Sequence, residues 1–249
     1  MRILGIDTAT TAASVAIIEN GQLVVEKLYD KTRAGTARAM TQPQGNHAEI
    51  ILPLIRSAFD HARVDLTDLS GVALSIGPGS FTGLRIALAT VKGIAYEWGL
   101  PVVGVSTLHA NAARVTDAAD LVCSLLDARK QEVYAALFRR DNGALTRLSE
   151  DSLLAVEAVI ELILAAHPRA TTVIVGDGVR AYRELLASAL GSTTRFSTGD
   201  EYGSVAAQVA EIAMGRFCAA STDDLGPLVP LYLRPSEAQS KITGSALTC

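Results

Sequence analysis

The chain has 249 residues, 49% apolar and 19% charged, which excludes a disordered polypeptide and suits one large domain or two compact lobes. Its formal net charge of −4 excludes a surface that grips a phosphate backbone unaided, because such binding depends on Lys and Arg neutralising phosphates. Cys123, Cys218 and Cys249 are odd in number and lack Cys-x-x-Cys spacing, which supports neither a disulfide framework nor a thiolate metal site and fits a reducing cytosol.

In chain order, Met1 leads straight into the strand pattern RILGID without an apolar leader, and no apolar run reaches the ~18 residues of a membrane span. The expected location is the cytoplasm. SVAII follows the turn TATTAA as a second strand, and LVVEKLY follows Asn20-Gly21, a strong hairpin signal, as a third. A polar insertion spans Lys31 to Gly45. HAEIILPLIRSAFDHA then carries Ile50, Ile51, Leu54, Ile55, Ala58 and Phe59 at helical spacing. GVALSI reads as a short strand, GPGSFTG as a sharp loop, and LRIALATVKGIAYEWG as a second helix stopped near Gly99-Leu100-Pro101.

The second half repeats this β-β-β-α-β-α order: LVCSLLDA, EVYAALF and ALTRL as strands, VEAVIELILAAH as a helix, TTVIV as a strand and VRAYRELLASAL as a helix. The punctuation repeats too. Asp7 and Asp127 close a first strand, Asn20-Gly21 and Asn142-Gly143 separate the next two, and Gly77-Pro78-Gly79 and Gly176-Asp177-Gly178 follow the fourth. This duplication predicts an α/β fold of two related lobes with a cleft between them, the actin-like (ASKHA) architecture of sugar kinases and Hsp70 ATPases. The expected division is an N-terminal lobe over 1–105, a C-terminal lobe over 106–218 and a tail over 219–249, with the helix at 203–218 able to return to the first lobe.

In such a fold the turn Asp7-Thr8-Ala9-Thr10-Thr11 offers hydroxyls and amides to a terminal phosphate, although a hydroxyl-rich turn is equally an ordinary β-turn. Asp127 mirrors Asp7, but Ala128-Arg129-Lys130 after it is bulky and cationic where a close approach to phosphate favours glycine. The loop Gly77 to Gly83 opens onto a helix N-terminus, which favours an anion, with Arg85 one turn in; Ser80 or Thr82 can equally serve as a plain helix cap. Asp7, Thr8, Ser80, Thr82, Arg85 and Asp127 are therefore the candidates for a degenerate nucleotide or anion site. No Gly-Lys-Ser/Thr follows the loop, so it is not a Walker motif. His47 and Glu49 open the first helix and His61 ends it, but no His-x-x-x-His or His-Glu-x-x-His exists, and no metal is expected. No Ser-x-x-Lys or Gly-x-Ser-x-Gly points to nucleophilic catalysis.

GPGSFTGLRIALATVKGIA closely resembles the TsaB (YeaZ-type) family, and GIDTATTAASVAI, NHAEIILPLI, PVVGVSTLHANA, LDARKQEVYAALF, VGDGVRAYRELL and PLYLRPSEA extend the resemblance over almost the whole chain. The resemblance implies a non-catalytic partner of TsaD, the enzyme that forms N6-threonylcarbamoyladenosine at position 37 of tRNA. It implies further that TsaE, a P-loop ATPase, and TsaC, which makes the adenylate, complete the system, and that tRNA is met only within the complex. On the register of TsaD, Thr107 and Asn111 stand where that enzyme has its metal-binding His-x-x-x-His, and Gly176-Asp177 stands where it has Gly-Gly near adenosine. Neither a metal nor a nucleotide cofactor is expected here.

The resemblance also implies that the two N-lobe helices pack against those of TsaD. The residues expected at that face are His47, Ile50, Ile51 and Leu54 on the first helix and Ile86, Ala87, Thr90, Val91 and Ile94 on the second, shared with packing on their own sheet. A homodimer through the same helices is the expected substitute when TsaD is absent. The competing reading is a small ATP-dependent kinase or ATPase, motivated by Asp7 and Asp127; a metalloprotease lacks ligands.

Overall fold

A computed structural model describes residues 1–30, 46–141, 143–197 and 204–234; the polar insertion, Asn142, residues 198–203, among them the first residue of the expected 203–218 helix, and those from Pro235 on lie outside them. The first sheet is built from β1 (Arg2–Asp7), β2 (Ala12–Glu19), β3 (Gln22–Asp30), β4 (Gly71–Gly77) and β5 (Val102–Ser106) in the order β3-β2-β1-β4-β5. Asn20 and Gly21, at φ 50° and 81°, turn β2 into β3, the positive-φ pair that a tight hairpin requires. β1 pairs antiparallel with β2 and parallel with β4.

The second sheet repeats the pattern with β6 (Leu121–Asp127), β7 (Glu132–Asp141), β8 (Ala144–Arg147), β10 (Thr172–Val175) and β11 (Thr194–Phe196). Its order, β11-β10-β6-β7-β8, is that of the first sheet read from the other end, with β9 (Ser152–Ala155) added beside β7. Two α/β lobes of this topology make the actin-like fold that the duplication predicts.

Strand alternation determines which side of each sheet every helix covers. On the first sheet Leu4, Ile6, Val15, Ile17 and Leu74 face α1 (His47–Ala62) and α2 (Phe81–Trp98). Ile3, Ile18, Ala73 and Val103 on the opposite face meet Val209, Ala210 and Ala213 of α6 (Ala206–Cys218). On the second sheet Cys123, Leu125, Ala135 and Leu137 pack against α4 (Val156–Ala166) and α5 (Gly178–Leu190). The other face, with Val122, Phe138 and Val173, is covered by Leu108 and Ala112 of α3 (Thr107–Ala113). Each large side chain removed from water in these layers contributes roughly 1.5–3 kcal/mol.

The chain thus crosses over: α3 follows the first sheet but packs Leu108 and Ala112 on the second, its Ala110 facing the α6 layer, and α6 follows the second sheet but lies on the first. At Gly5 the crossing is close, since a Cβ there would stand 2.1 Å from the Ala206 carbonyl oxygen. Sequence periodicity ends each repeat at its second helix and then gives the helix at 203–218, observed as α6; β5, α3, β9 and β11 are additions of the structure, all too short to show an amphipathic window. Among the described residues no helix is long and apolar enough to cross a membrane.

Candidate functional site

An open cleft of about 630 Å³ lies between the lobes. On the N-terminal side it is lined by Thr10 and Thr11 of the β1–β2 turn, by Asn46 and His47 at the start of α1, and by Ser80, Thr82 and Ile86 of α2. Across it stand Asp127, Arg129, Tyr134 and Asp177. Asn46 fixes the α1 end as its N-cap, accepting from the amides of Ala48 and Glu49 at 2.9 and 3.2 Å while its own amide donates to the Glu49 carboxylate at 2.8 Å.

The groups that suggested an anion site are largely engaged with one another. The Thr8 hydroxyl is buried and donates to the Gly83 carbonyl at 2.7 Å. The Ser80 amide donates to Ala9 O at 2.7 Å, and the Ser80 hydroxyl caps α2 by accepting from the Gly83 amide at 3.2 Å. Added Cβ atoms at Gly79 and Gly83 would stand 2.4 and 2.0 Å from the carbonyl oxygens of Ala9 and Thr8. These glycines let the turn and the helix press together, which takes the room a phosphate would need there. Arg85 is not at the site: its guanidinium lies 4.3 Å from the Phe81 ring centroid and its Nε donates to the Tyr232 hydroxyl at 2.9 Å.

Asp7 is buried behind the cleft wall, and burial pushes its carboxyl up to about 6, against the pull of the Ser75 hydroxyl, the Ala9 amide and the Arg114 guanidinium. The folded protein therefore holds this proton more tightly than an unfolded chain, whose value is 3.8. Stability from the neutral carboxyl is fully present below that value and is lost as pH rises to about 6. Asp7→Asn, neutral at every pH, should exceed the native protein at pH 8 by about 2–3 kcal/mol and match it near pH 4. Thermal melts at the two pH values check this; a gap that does not widen with pH contradicts it.

On the far wall Asp127 Oδ1 accepts from the Arg129 amide at 2.8 Å, and the Asp127 amide donates to Asp177 Oδ1 at 2.9 Å. Burial, joined by the charge of Asp127, raises Asp177 to about 6. The Arg129 guanidinium lies 3.7 Å from Asp127 Oδ2, so the wall carries charges of both signs. Between β6 and β7 the turn residues Arg129, Lys130 and Gln131 hold φ of 65°, 55° and 63°. No glycine relieves this left-handed run, which costs on the order of 1–2 kcal/mol per residue.

Thr107 and Asn111 lie buried on α3 between the lobes. Asn111 donates to the Ser124 hydroxyl and accepts from Arg114, both at 3.3 Å. An engaged amide, a threonine and an adjacent guanidinium do not fit a catalytic metal ion.

The structure divides the expected partner face. Ile50, Ile51, Leu54, Ala87 and Val91 are buried in the core of their own lobe and are not available on the surface, which corrects the expectation for these five. The helical phase turns them inward onto β2 and β4. Ile86 and Ile94 are half-buried against the same core, Thr90 is half-buried, and His47 opens onto the cleft. What the two helices present outward is Leu52, Pro53 and Arg56 on α1 and Ala89, Gly93 and Tyr96 on α2, with Leu52 57% and Tyr96 85% exposed. Periodicity could not single out Leu52, which sits in the continuous apolar run from Ile50 to Leu52.

Comparison with known proteins places this geometry among relatives. The family model for TsaD, tRNA N6-adenosine threonylcarbamoyltransferase, matches residues 41–226. The tRNA threonylcarbamoyladenosine biosynthesis protein TsaB of Escherichia coli (strain K12) is 33% identical over 98% of this chain and 99% of its own. The protein of the same description from Bacillus subtilis (strain 168) is 25% identical over 97% of each chain. A crystal structure from Pseudomonas aeruginosa, of an uncharacterized protein with similarity to peptidase YEAZ, superposes with a TM-score of 0.72 at 26% identity, covering 94% of this chain and 99% of that one.

Proposed function

This chain belongs to the TsaB family, within the reach of the TsaD family model, and we propose that it serves the formation of N6-threonylcarbamoyladenosine on tRNA as a non-catalytic partner of TsaD. It stands in the cytoplasm beside that enzyme, supports it through the outward face of α1 and α2, and contributes to the surface on which TsaE and tRNA meet the complex. Alone, it pairs with a second copy through the same face.

The observation that carries the non-catalytic reading is the internal use of polar groups at the cleft: Thr8 on Gly83, Ser80 on Ala9 and its own helix, Asp127 on the Arg129 amide of its own turn and Asp177 on the Asp127 amide. A donor already bonded within the fold must give up that bond before it can serve a phosphate, which lowers the gain from binding one. No nucleotide is required of this chain. ATP with magnesium should leave its melting temperature unchanged, and a shift of several degrees at millimolar nucleotide would favour the kinase alternative instead.

The decisive experiment joins association to activity. The chain is co-expressed with TsaD from the same source, purified through a tag on one partner, and threonylcarbamoyladenosine on tRNA is assayed with TsaC and TsaE present. The expected result is a stoichiometric complex whose activity falls at least tenfold without this chain. Full activity of TsaD alone overturns the proposal.

A further inference from the structure

The chain after α6 is held across both lobes. Asp223 binds the β5 edge, its amide donating to Val102 O at 2.9 Å while Arg216 clasps its carboxylate at 2.7 Å. Further on, Lys92 of α2 donates to Gly226 O at 2.9 Å, the Leu231 amide donates to Ile76 O at 2.7 Å, and Tyr232 takes the bond from Arg85. Two residues later Arg234 reaches the other lobe. Its Nη1 donates to Ala128 O at 2.6 Å and its Nη2 pairs with the Glu132 carboxylate.

Those two acceptors bracket the left-handed turn. Ala128 and Glu132 flank Arg129, Lys130 and Gln131, and they close the turn through the bond from the Ala128 amide to Glu132 O at 3.0 Å. Three successive non-glycine residues at positive φ persist only where the surroundings over-determine them. Arg, Lys and Gln have no local preference for this conformation. Arg234, which follows the Leu231 and Tyr232 contacts to the first lobe, grips both ends of the turn at once.

We propose that residues 221–234 form a strap between the lobes and that Arg234 is its latch, the positioning residue that keeps the turn 129–131 left-handed and so fixes the C-terminal wall of the cleft. The strap also ties that wall to α2 through Lys92 and Arg85. Displacement of α2 then reaches the cleft through bonded contacts. The inference stands on geometry and does not require the partner role proposed above.

Trypsin tests it, because Arg129 and Lys130 are exposed cleavage sites and a protease needs their chain extended. Cleavage of a native turn follows the fraction of time it spends open. Arg234→Ala should speed cleavage after Arg129 and Lys130 at least tenfold, read by mass spectrometry of the fragments, with other sites unchanged. Arg234→Lys, which keeps a donor and the charge, should restore most of the resistance. Should Arg234→Ala accelerate every site together, the measurement passes to Glu132→Gln, which removes the ion pair and leaves the bond to Ala128 O. Acceleration confined to the turn in that variant supports the latch. An unchanged rate at the turn in either variant that remains folded overturns it.

Discussion

Gly93→Arg should abolish co-purification with TsaD while leaving the chain folded. Gly93 lies in the second half of α2, exposed, and a Cβ added there meets nothing within 4 Å. With Ala89 one turn earlier it makes the outward face shallow, which lets a second helix approach at the short end of the usual 8–10 Å interaxial range. An arginine holds the axes apart and brings an unpaired charge into the contact. The expected loss of affinity is at least ~100-fold, about 2.7 kcal/mol. The fold should tolerate the change, since leaving glycine in a helix interior gains roughly 0.5–1 kcal/mol. Gly93→Ala is the matched control, expected to raise the melting temperature slightly and keep the complex. Retained binding by a folded Gly93→Arg variant removes this face from the proposal.

Gly5→Ala is expected to destabilise the first lobe severely. The new Cβ would stand 2.1 Å from Ala206 O and 3.0 Å from the Ala210 Cβ, both on α6. β1 is the central strand, bonded to β2 on one side and β4 on the other, so it cannot retreat. The helix must move instead, and its contacts with Ile3, Ala73 and Val103 open. Overpacking against fixed backbone costs about 3 kcal/mol, which for a chain of this size lowers the melting temperature by roughly 6–12 °C. Gly215→Ala on the same helix, where an added Cβ meets nothing within 4 Å, should stabilise slightly. Calorimetry of the two variants decides; an unchanged melting temperature for Gly5→Ala refutes the close approach.

Much of this architecture is written locally. The alternation in RILGID and SVAII, the Asn20-Gly21 turn and the Asn46 cap ahead of α1 each specify their element from within a few residues, and the duplicated punctuation reveals the second lobe. The site is less legible because its residues answer to distant ones. Arg85 points away from the cleft on account of Tyr232, 147 positions later. The left-handed turn at Arg129 has no propensity behind it and depends on Arg234. The partner face misled for a different reason: Ile50, Ile51 and Leu52 are alike to any count of apolar residues, and only the helical phase relative to the sheet separates two core side chains from a surface one.

The exchange of α3 and α6 between lobes also imposes an order on synthesis. When Ser106 has left the ribosome the first sheet has all five strands, yet the face carrying Ile3, Ala73 and Val103 still lacks its cover, because α6 ends only at Cys218. At roughly 5–20 residues per second, the intervening stretch takes on the order of 10 s to emerge. Throughout that interval the nascent first half exposes an apolar sheet face that α6 has yet to cover.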